Sequence, residues 1–421
     1  MKQKKLSVTH ISYAVSKQTS SFRIHTELAK TINSMIFVAA KSIKSDLIIQ
    51  PTSVFEKISS NFGIIRELFI SKIFQTNKLV YFSFNIGPVL FQNFWISRLK
   101  KINNDLIHLH WVGNGFININ QIDKMNKPIV ITLHDMWFMT GGCHVNLSCD
   151  KYLEHCNNCP LFNRKKIFTF DLVSYIFNKK LKIFRRKNIY IIVLSSWMKE
   201  IVSKSPIFSN CEITQIPNGI DIEKFKPYDK IFSRSVFNIK TKSKILLFGG
   251  ISANSDYNKG YDLLCQILRI LKLKNVNIEL IIFGNSDNSI KDIEGFKTSH
   301  IGSLSDDETL AILYSAADVV LVPSRQESFS QVTLESISCG TPVVAFNYSG
   351  PKDIIQHKKN GYLAKPYDAN DFANGISWII ANQLSNDDLS NNCRNIAINN
   401  FNIASVANKH IELYQKVMSS I

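Results

Sequence analysis

Two glutamates eight positions apart carry the clearest chemical signal in this chain. Glu327 and Glu335 lie in Pro323-Ser324-Arg325-Gln326-Glu327-Ser328-Phe329-Ser330-Gln331-Val332-Thr333-Leu334-Glu335, which runs on to Cys339-Gly340-Thr341-Pro342-Val343-Val344. An apolar strand pattern ends at Val322, a loop follows, and a helical pattern begins near Phe329. Glu327 falls in the loop and Glu335 inside the helix. The first N–H groups of a helix have no partner of their own, so Ser328 to Gln331 offer an anion site. A carboxylate beside it can accept hydrogen bonds from sugar hydroxyls. By spacing alone, a helix-end charge at Glu327 and a surface carboxylate at Glu335 account for the pattern equally well.

Other residues could do chemistry. His134, followed by Asp135, sits at the carboxyl end of the apolar run Pro128–Leu133. A histidine there can donate to a hydroxyl or polarise a reacting region. His108 and His110 alternate along Leu106–His110 and share a face, which suits sheet-end packing and substrate contact alike. Cys143, Cys149, Cys156 and Cys159 occupy the loop 141–160 with spacing Cys-x5-Cys-x6-Cys-x2-Cys. Four thiolates so close can hold a tetrahedral structural zinc, and four reduced thiols are the alternative. No catalytic metal is expected, because four protein ligands leave no open position.

These residues need elements to hold them. Strand-like runs at Leu6–Ile11, Leu106–His110, Pro128–Leu133, Ile189–Leu194, Lys244–Phe248, Ile278–Phe283, Val319–Val322 and Pro342–Ala345 are separated by helical patterns such as Tyr261–Leu273 and Asp306–Ala316. Continuous apolar strands interleaved with helices imply an α/β protein with parallel sheets. With 421 residues, two doubly wound Rossmann-like domains are expected. Turn residues gather at Gln215–Lys226, placing the domain boundary between 1–215 and 216–400. Ligands of such sheets bind at the carboxyl ends of the strands, where these candidates cluster.

The order of motifs resembles the family 4 glycosyltransferases, retaining enzymes of the GT-B fold, whose two domains face a central cleft. The resemblance rests on the two glutamates, on Ile216-Pro217-Asn218-Gly219-Ile220-Asp221 with Phe225 and Pro227, on Phe248-Gly249-Gly250 followed by Asn258-Lys259-Gly260-Tyr261-Asp262, and on Ala316-Ala317-Asp318-Val319. It reaches back to Thr19-Ser20-Ser21, His134-Asp135 and Ser195-Ser196-Trp197, and is weakest over residues 40–100. It implies a last helix at 401–421 that crosses back to the N-terminal domain, that Glu335 binds the ribose of a nucleotide-diphosphate sugar and that Glu327 contacts the transferred sugar. Ser328, Phe329 and Ser330 then face the diphosphate or sugar, Lys259 meets the pyrophosphate, and His134 stands near the donor sugar. Ser20 and Ser21 replace two common glycines in a loop near the acceptor, where serine can also cap a helix. Two departures stand out. Gly250 replaces the family's usual arginine, for which Arg325 is a candidate substitute, and Glu-Ser-Phe-Ser replaces Glu-Gly-Phe-Gly.

Residues 1–220 hold 29 Lys and Arg against 12 Asp and Glu, so the whole excess of +17 lies before residue 221. Such a half meets an anionic partner. Nucleic acid is disfavoured, because no reading motif is present. Phe162–Tyr190 has nine basic residues interleaved with aromatics, a pattern for an anionic leaflet or for a surface helix packed on its own domain. The start has no apolar run for a signal peptide, and the run Leu79–Phe91 is too short and polar to cross a membrane. The expectation is a cytoplasmic enzyme attached peripherally to the inner face of the membrane. It would transfer a hexose-type sugar to a glycan, lipid-linked, in surface polysaccharide biosynthesis. An epimerase or phosphorylase of the same fold, or a binding protein without catalysis, are the alternatives.

Overall fold

Ile, Val and Leu runs become strands buried on both faces, as β-branched residues in a helix-covered sheet do. The computed structural model describes residues 5–41, 43–74, 80–86, 93–161, 170–186, 188–240, 242–250, 253–284, 292–383 and 388–420. The chain falls into two units, Met1–Pro217 with Ala407–Ile421, and Asn218–Val406.

The first unit has seven strands: β1 (Ser7–Val15), β2 (Asn33–Lys41), β3 (Ile48–Ile49), β4 (Leu106–Leu109), β5 (Ile129–Leu133), β6 (Ile189–Val193) and β7 (Glu212–Gln215). They pair in parallel in the order β3-β2-β1-β4-β5-β6-β7. The chain winds away from β1 in both directions, so the topological switch lies between β1 and β4. Register sets His10 of β1 beside His108 of β4.

The second unit has β8 (Lys244–Gly249), β9 (Ile278–Phe283), β10 (Asp292–Ile293), β11 (Phe296–Ile301), β12 (Val319–Val322), β13 (Val343–Phe346) and β14 (Gly361–Ala364). Their order is β10-β11-β9-β8-β12-β13-β14, parallel except for the β10–β11 hairpin. The switch here lies between β8 and β12. Asp318, just before β12, explains part of its motif. It is buried, accepts from the Ile245 N–H at 2.7 Å, and pairs with Arg234 at 2.7 Å and Lys230 at 2.9 Å. Burial would raise its carboxyl, but these cations hold it below its ordinary value. Gly219 also has a local reason: a Cβ there would stand 2.8 Å from the Ile403 Cα, because Ile220 exchanges backbone hydrogen bonds with Phe401 and Ile403.

Among the described residues no helix is long and apolar enough to cross a membrane. Parts of the sequence-based expectations, namely Leu79, 87–91, 162–169 (with Arg164, Lys165 and Lys166) and Lys187, lie outside the described residues.

Candidate functional site

In the second unit, two loops meet at the carboxyl ends of β8 and β12. After β8 the chain forms a short turn at Tyr257–Lys259, capped by Asp256, which accepts from the Asn258 N–H at 2.9 Å. Gly260 then takes φ +72°, where a Cβ would stand 2.1 Å from the Pro323 carbonyl oxygen. Only glycine permits this approach. Asn258 stitches the turn to the loop after β12, accepting from the Arg325 N–H at 2.8 Å and donating to the Gln326 carbonyl at 2.7 Å. The result is an ion pair between residues 68 positions apart: Lys259 Nζ lies 2.8 Å from Glu327 Oε1. The Glu327 carboxylate raises the Lys259 ammonium above its ordinary value, against the opposing effect of burial.

Arg325, the candidate substitute for the pyrophosphate cation, has a carboxylate partner of its own. Its guanidinium forms a fork with both oxygens of Asp262, at 2.9 and 2.6 Å, and stacks 3.7 Å over the Tyr257 ring. Arg325 is thus ion-paired in this structure, as Lys259 is. The helix is also shorter than expected, running Gln331–Ser338 with Ser330 as its N-cap. The Ser330 hydroxyl accepts from the Thr333 N–H at 3.4 Å. Its φ of +90° is strained for a non-glycine residue, on the order of 1–3 kcal/mol, at one of the two positions where the resemblance expects glycine. Ser328 and Phe329 precede this cap, with Phe329 buried against Phe401. Glu335 is buried, and its Oε2 accepts from the Tyr314 hydroxyl at 3.0 Å. Gln331, read from the sequence only for its backbone N–H, has a side-chain amide whose oxygen and nitrogen are shielded from water without a hydrogen-bond partner. Gly250 lies nearby: a Cβ there would meet only Val332, at 3.9 Å.

In the first unit, Ser20 and His134 come together after β1 and β5. Ser20 Oγ lies 3.4 Å from His134 Nδ1. Thr19, not a serine, holds the N-cap position of the Ser20–Leu28 helix, and Ser21 is buried with its hydroxyl 3.3 Å from that of Ser12. Behind His134 runs a histidine chain that the sequence showed only as alternation. His134 Nε2 is 3.0 Å from His110 Nδ1, and His110 Nε2 is 2.9 Å from His10 Nδ1. His108 is fixed by the Tyr414 hydroxyl at 2.6 Å and by Thr132 at 2.7 Å. Burial lowers His134 to about 4, and burial with neighbouring imidazoles lowers His10, His108 and His110 well below their ordinary range. All four are neutral near pH 7.

The four loop cysteines line one cavity of about 20 Å³ and form no disulfide. Burial pushes Cys156 up to about 12 and raises Cys143 and Cys159. The donor set suits zinc, but the spacing is looser than a closed site. Among the described residues, the one trio of His, Cys, Asp or Glu with ligand atoms all within 4.8 Å is His10, His108 and His110. A tetrahedral Zn–S4 site has sulfurs about 3.8 Å apart.

The basic segment needs correction. In the Leu172–Phe184 helix, Lys180 is fully buried, donating to the Thr140 carbonyl at 2.9 Å and to that of Trp137, 3.7 Å from the Trp137 ring. Burial lowers it to about 7, against the neighbouring Cys143 and Cys156. Lys179 donates to Asn120 at 3.0 Å and Arg186 pairs with Asp123 at 2.6 Å. Of its five described cations, Lys180 is in the core, Lys179 and Arg186 are engaged by the chain's own groups, and Lys182 and Arg185 are exposed.

Residues 229–397 match the family described as glycosyl transferases group 1, and residues 71–224 match glycosyltransferase family 4. An uncharacterized glycosyltransferase of Methanocaldococcus jannaschii is 28% identical over 75% of this chain and 76% of its own. A 41.2 kDa protein in the cps region of Klebsiella pneumoniae is 24% identical over 76% of this chain and 81% of its own. The D-inositol 3-phosphate glycosyltransferase of Segniliparus rotundus is 30% identical, but over only 36% of this chain and 35% of its own length. Among solved structures, sucrose-phosphate synthase from Thermosynechococcus elongatus superposes with a TM-score of 0.69 at 19% identity, covering 99% of this chain and 100% of that one. Anabaena HepE in complex with UDP and glucose gives 0.63 at 15%, covering 97% and 99%. These structural likenesses establish the shared GT-B fold. The matched motifs and fold agree, and the chain belongs to the family 4 glycosyltransferases of group 1.

Proposed function

We propose that the protein moves a hexose-type sugar, with retention of configuration, from a nucleotide-diphosphate sugar to a lipid-linked glycan acceptor in surface polysaccharide biosynthesis. The observation that carries this reading is the Lys259–Glu327 pair, set beside the start of the Gln331–Ser338 helix at a sheet switch point. A nucleoside diphosphate gains negative charge as it leaves, and a fixed ammonium beside helix N–H groups stabilises that charge without reorganising. Lys259 takes the diphosphate and Glu327 the hydroxyls of the transferred sugar, while Glu335 holds the ribose. Gln331, with both amide atoms unpartnered, is a further contact for the donor. Arg325, tied to Asp262, shapes the loop instead of meeting phosphate. His134, neutral near pH 7, donates as an imidazole. Among the described residues no protein nucleophile is evident, and the leaving phosphate assists deprotonation of the acceptor. The nucleotide donor is supported by the UDP bound in Anabaena HepE, and the polysaccharide setting by the Klebsiella relative in a cps region.

A thermal-shift screen against UDP-, GDP- and ADP-sugars tests the donor, with stabilisation by one of them as the expected result. Glu335→Ala is then expected to weaken binding of that donor by about 1.5–3 kcal/mol in calorimetry, the worth of a charge-assisted hydrogen bond. Unchanged affinity removes the ribose role. We also propose a structural zinc held by Cys143, Cys149, Cys156 and Cys159, next to the buried Lys180 amine, which offsets thiolate charge when protonated. Metal analysis of protein purified without a histidine tag is expected to return one zinc per chain. A value near zero under reducing, chelator-free conditions leaves four thiols.

A further inference from the structure

The helix Val54–Phe74 is folded with its polar side inward. Glu56 is buried, accepts from the Thr52 and Ser53 N–H groups at 2.8 and 3.2 Å, and pairs with Arg98 at 3.1 Å. Glu67 is buried and accepts from the Asn85 N–H at 3.0 Å and from that of Phe84. Between them Gly63 lies close against the chain: a Cβ at Gly115 would stand 2.2 Å from its carbonyl oxygen. These two glutamates are the only acids in the helix.

The outward side is mostly apolar, broken by exposed Asn61 and Lys72. Val54, Ile58, Phe62, Ile65, Leu68 and Phe69 are between 44 and 70% exposed. At roughly 100° per residue they fall within an arc of about 120°, a stripe about 22 Å long. A surface helix of a water-soluble domain normally shows the opposite sidedness. Contiguous exposed apolar patches of this kind mark an interaction site.

We propose that this stripe docks on an anionic lipid leaflet, a proposal that rests on the reading of a lipid-linked acceptor. Charge selects this occupant. The exposed charges on the helix are Lys57 and Lys72, since both carboxylates are turned in. The adjoining helix Asn93–Lys101, tied on by Arg98, adds exposed Lys100 and Lys101. All lie in the half of the chain that carries the +17 excess. An apolar stripe rimmed by lysines matches an interfacial helix, whose apolar side enters the headgroup boundary while its cations meet anionic lipid. This helix is a membrane contact in addition to the exposed Lys182, Arg185 and Arg186 of the basic segment.

Flotation of the full chain with vesicles of phosphatidylcholine and phosphatidylglycerol tests the inference. Wild type is expected to float with these vesicles and far less with pure phosphatidylcholine. The triple variant Ile65→Ser, Leu68→Ser, Phe69→Ser is expected to lose affinity on the order of tenfold per side chain. Its melting temperature and nucleotide-sugar binding stay at wild-type values. Lys57→Glu with Lys72→Glu is a second variant that leaves the stripe intact, and it is expected to weaken attachment most at low salt. Wild-type flotation of the triple variant overturns the inference. So does concentration-dependent self-association, lost in that variant, from a protein that binds no vesicles, because a second copy would then cover the stripe. Vesicle binding through this helix, with no transfer to any lipid-linked acceptor, supports the inference and removes the acceptor reading.

Discussion

Replacing Lys259 by methionine is expected to lower kcat about 100- to 1,000-fold, the usual cost of losing one preorganised group that stabilises transition-state charge. The ammonium is held 2.8 Å from Glu327, and that carboxylate keeps it protonated. It is therefore a fixed positive charge before the donor arrives, with no reorganisation left for the reaction. Methionine keeps the length of the side chain and removes the charge, so the turn at Tyr257–Lys259 and the positive φ of Gly260 are undisturbed. Donor affinity falls less than turnover, because the diphosphate gains charge only as the bond to the sugar breaks. Glu327→Gln removes the partner and is expected to lower kcat as well. The double variant is expected to be non-additive, as residues in one ion pair are. The measurement is steady-state transfer with the donor that the thermal-shift screen identifies. A Lys259→Met enzyme within threefold of wild type would take the lysine out of the reaction.

The Lys259 and Glu327 positions were legible because loop residues after buried strands must gather at one edge of a parallel sheet, and short motifs fix their local turns. What was hidden was which charges find each other. Arg325 looked like a free cation in its loop. Asp262 opens the helix after Gly260, 63 positions away, and only the stitching by Asn258 brings the two into register. The same limit applies to the strained Ser330, since a serine in sequence carries no sign of its φ.

Strands were readable where apolar runs are continuous. β9 and β12 fall where their patterns place them, while β2, β3, β7, β10, β11 and β14 were passed over, β2 in spite of its continuous apolar run Met35–Ala40. β7 and β11 carry polar residues, such as Glu212, Thr214, Thr298 and His300, that dilute the apolar signal at or near a sheet edge. Lys180 was a different kind of miss, because the signal was there. Ile176, Phe177, Lys180, Ile183 and Phe184 follow one helical stripe, and all are buried. Counting charges hid that periodicity. The Val54–Phe74 helix, over which the sequence reading made no assignment, has the opposite sidedness, with apolar residues exposed and both carboxylates buried.

The histidine cluster gives the first unit an expected acid lability. His10, His25, His108, His110 and His134 all have lowered pKa values, burial being the largest cause for each. An unfolded histidine takes up its proton near pH 6.5, whereas folded His25 and His134 do so only near 4. Between those values the unfolded chain holds more protons than the folded one, so stability rises with pH. The contribution is fully present above about pH 6.5 and is lost as pH falls through about 4. For the fully buried His25 alone the loss by pH 4 is about 3 kcal/mol. His10, His108 and His110 add to it in the same direction, against a typical total of about 5–15 kcal/mol. Carboxylates held low, such as Asp135 and Asp318, act in a separate window below about pH 4. Urea unfolding followed by tryptophan fluorescence is expected to show the first unit losing most of its stability between pH 6.5 and 4.5. The lost stability returns on neutralisation. His25→Gln, which keeps a polar side chain beside Ser34 but cannot titrate, is expected to flatten the slope by one proton. A stability constant from pH 7 to 5 would mean that these imidazoles reach water and bind protons in the folded state.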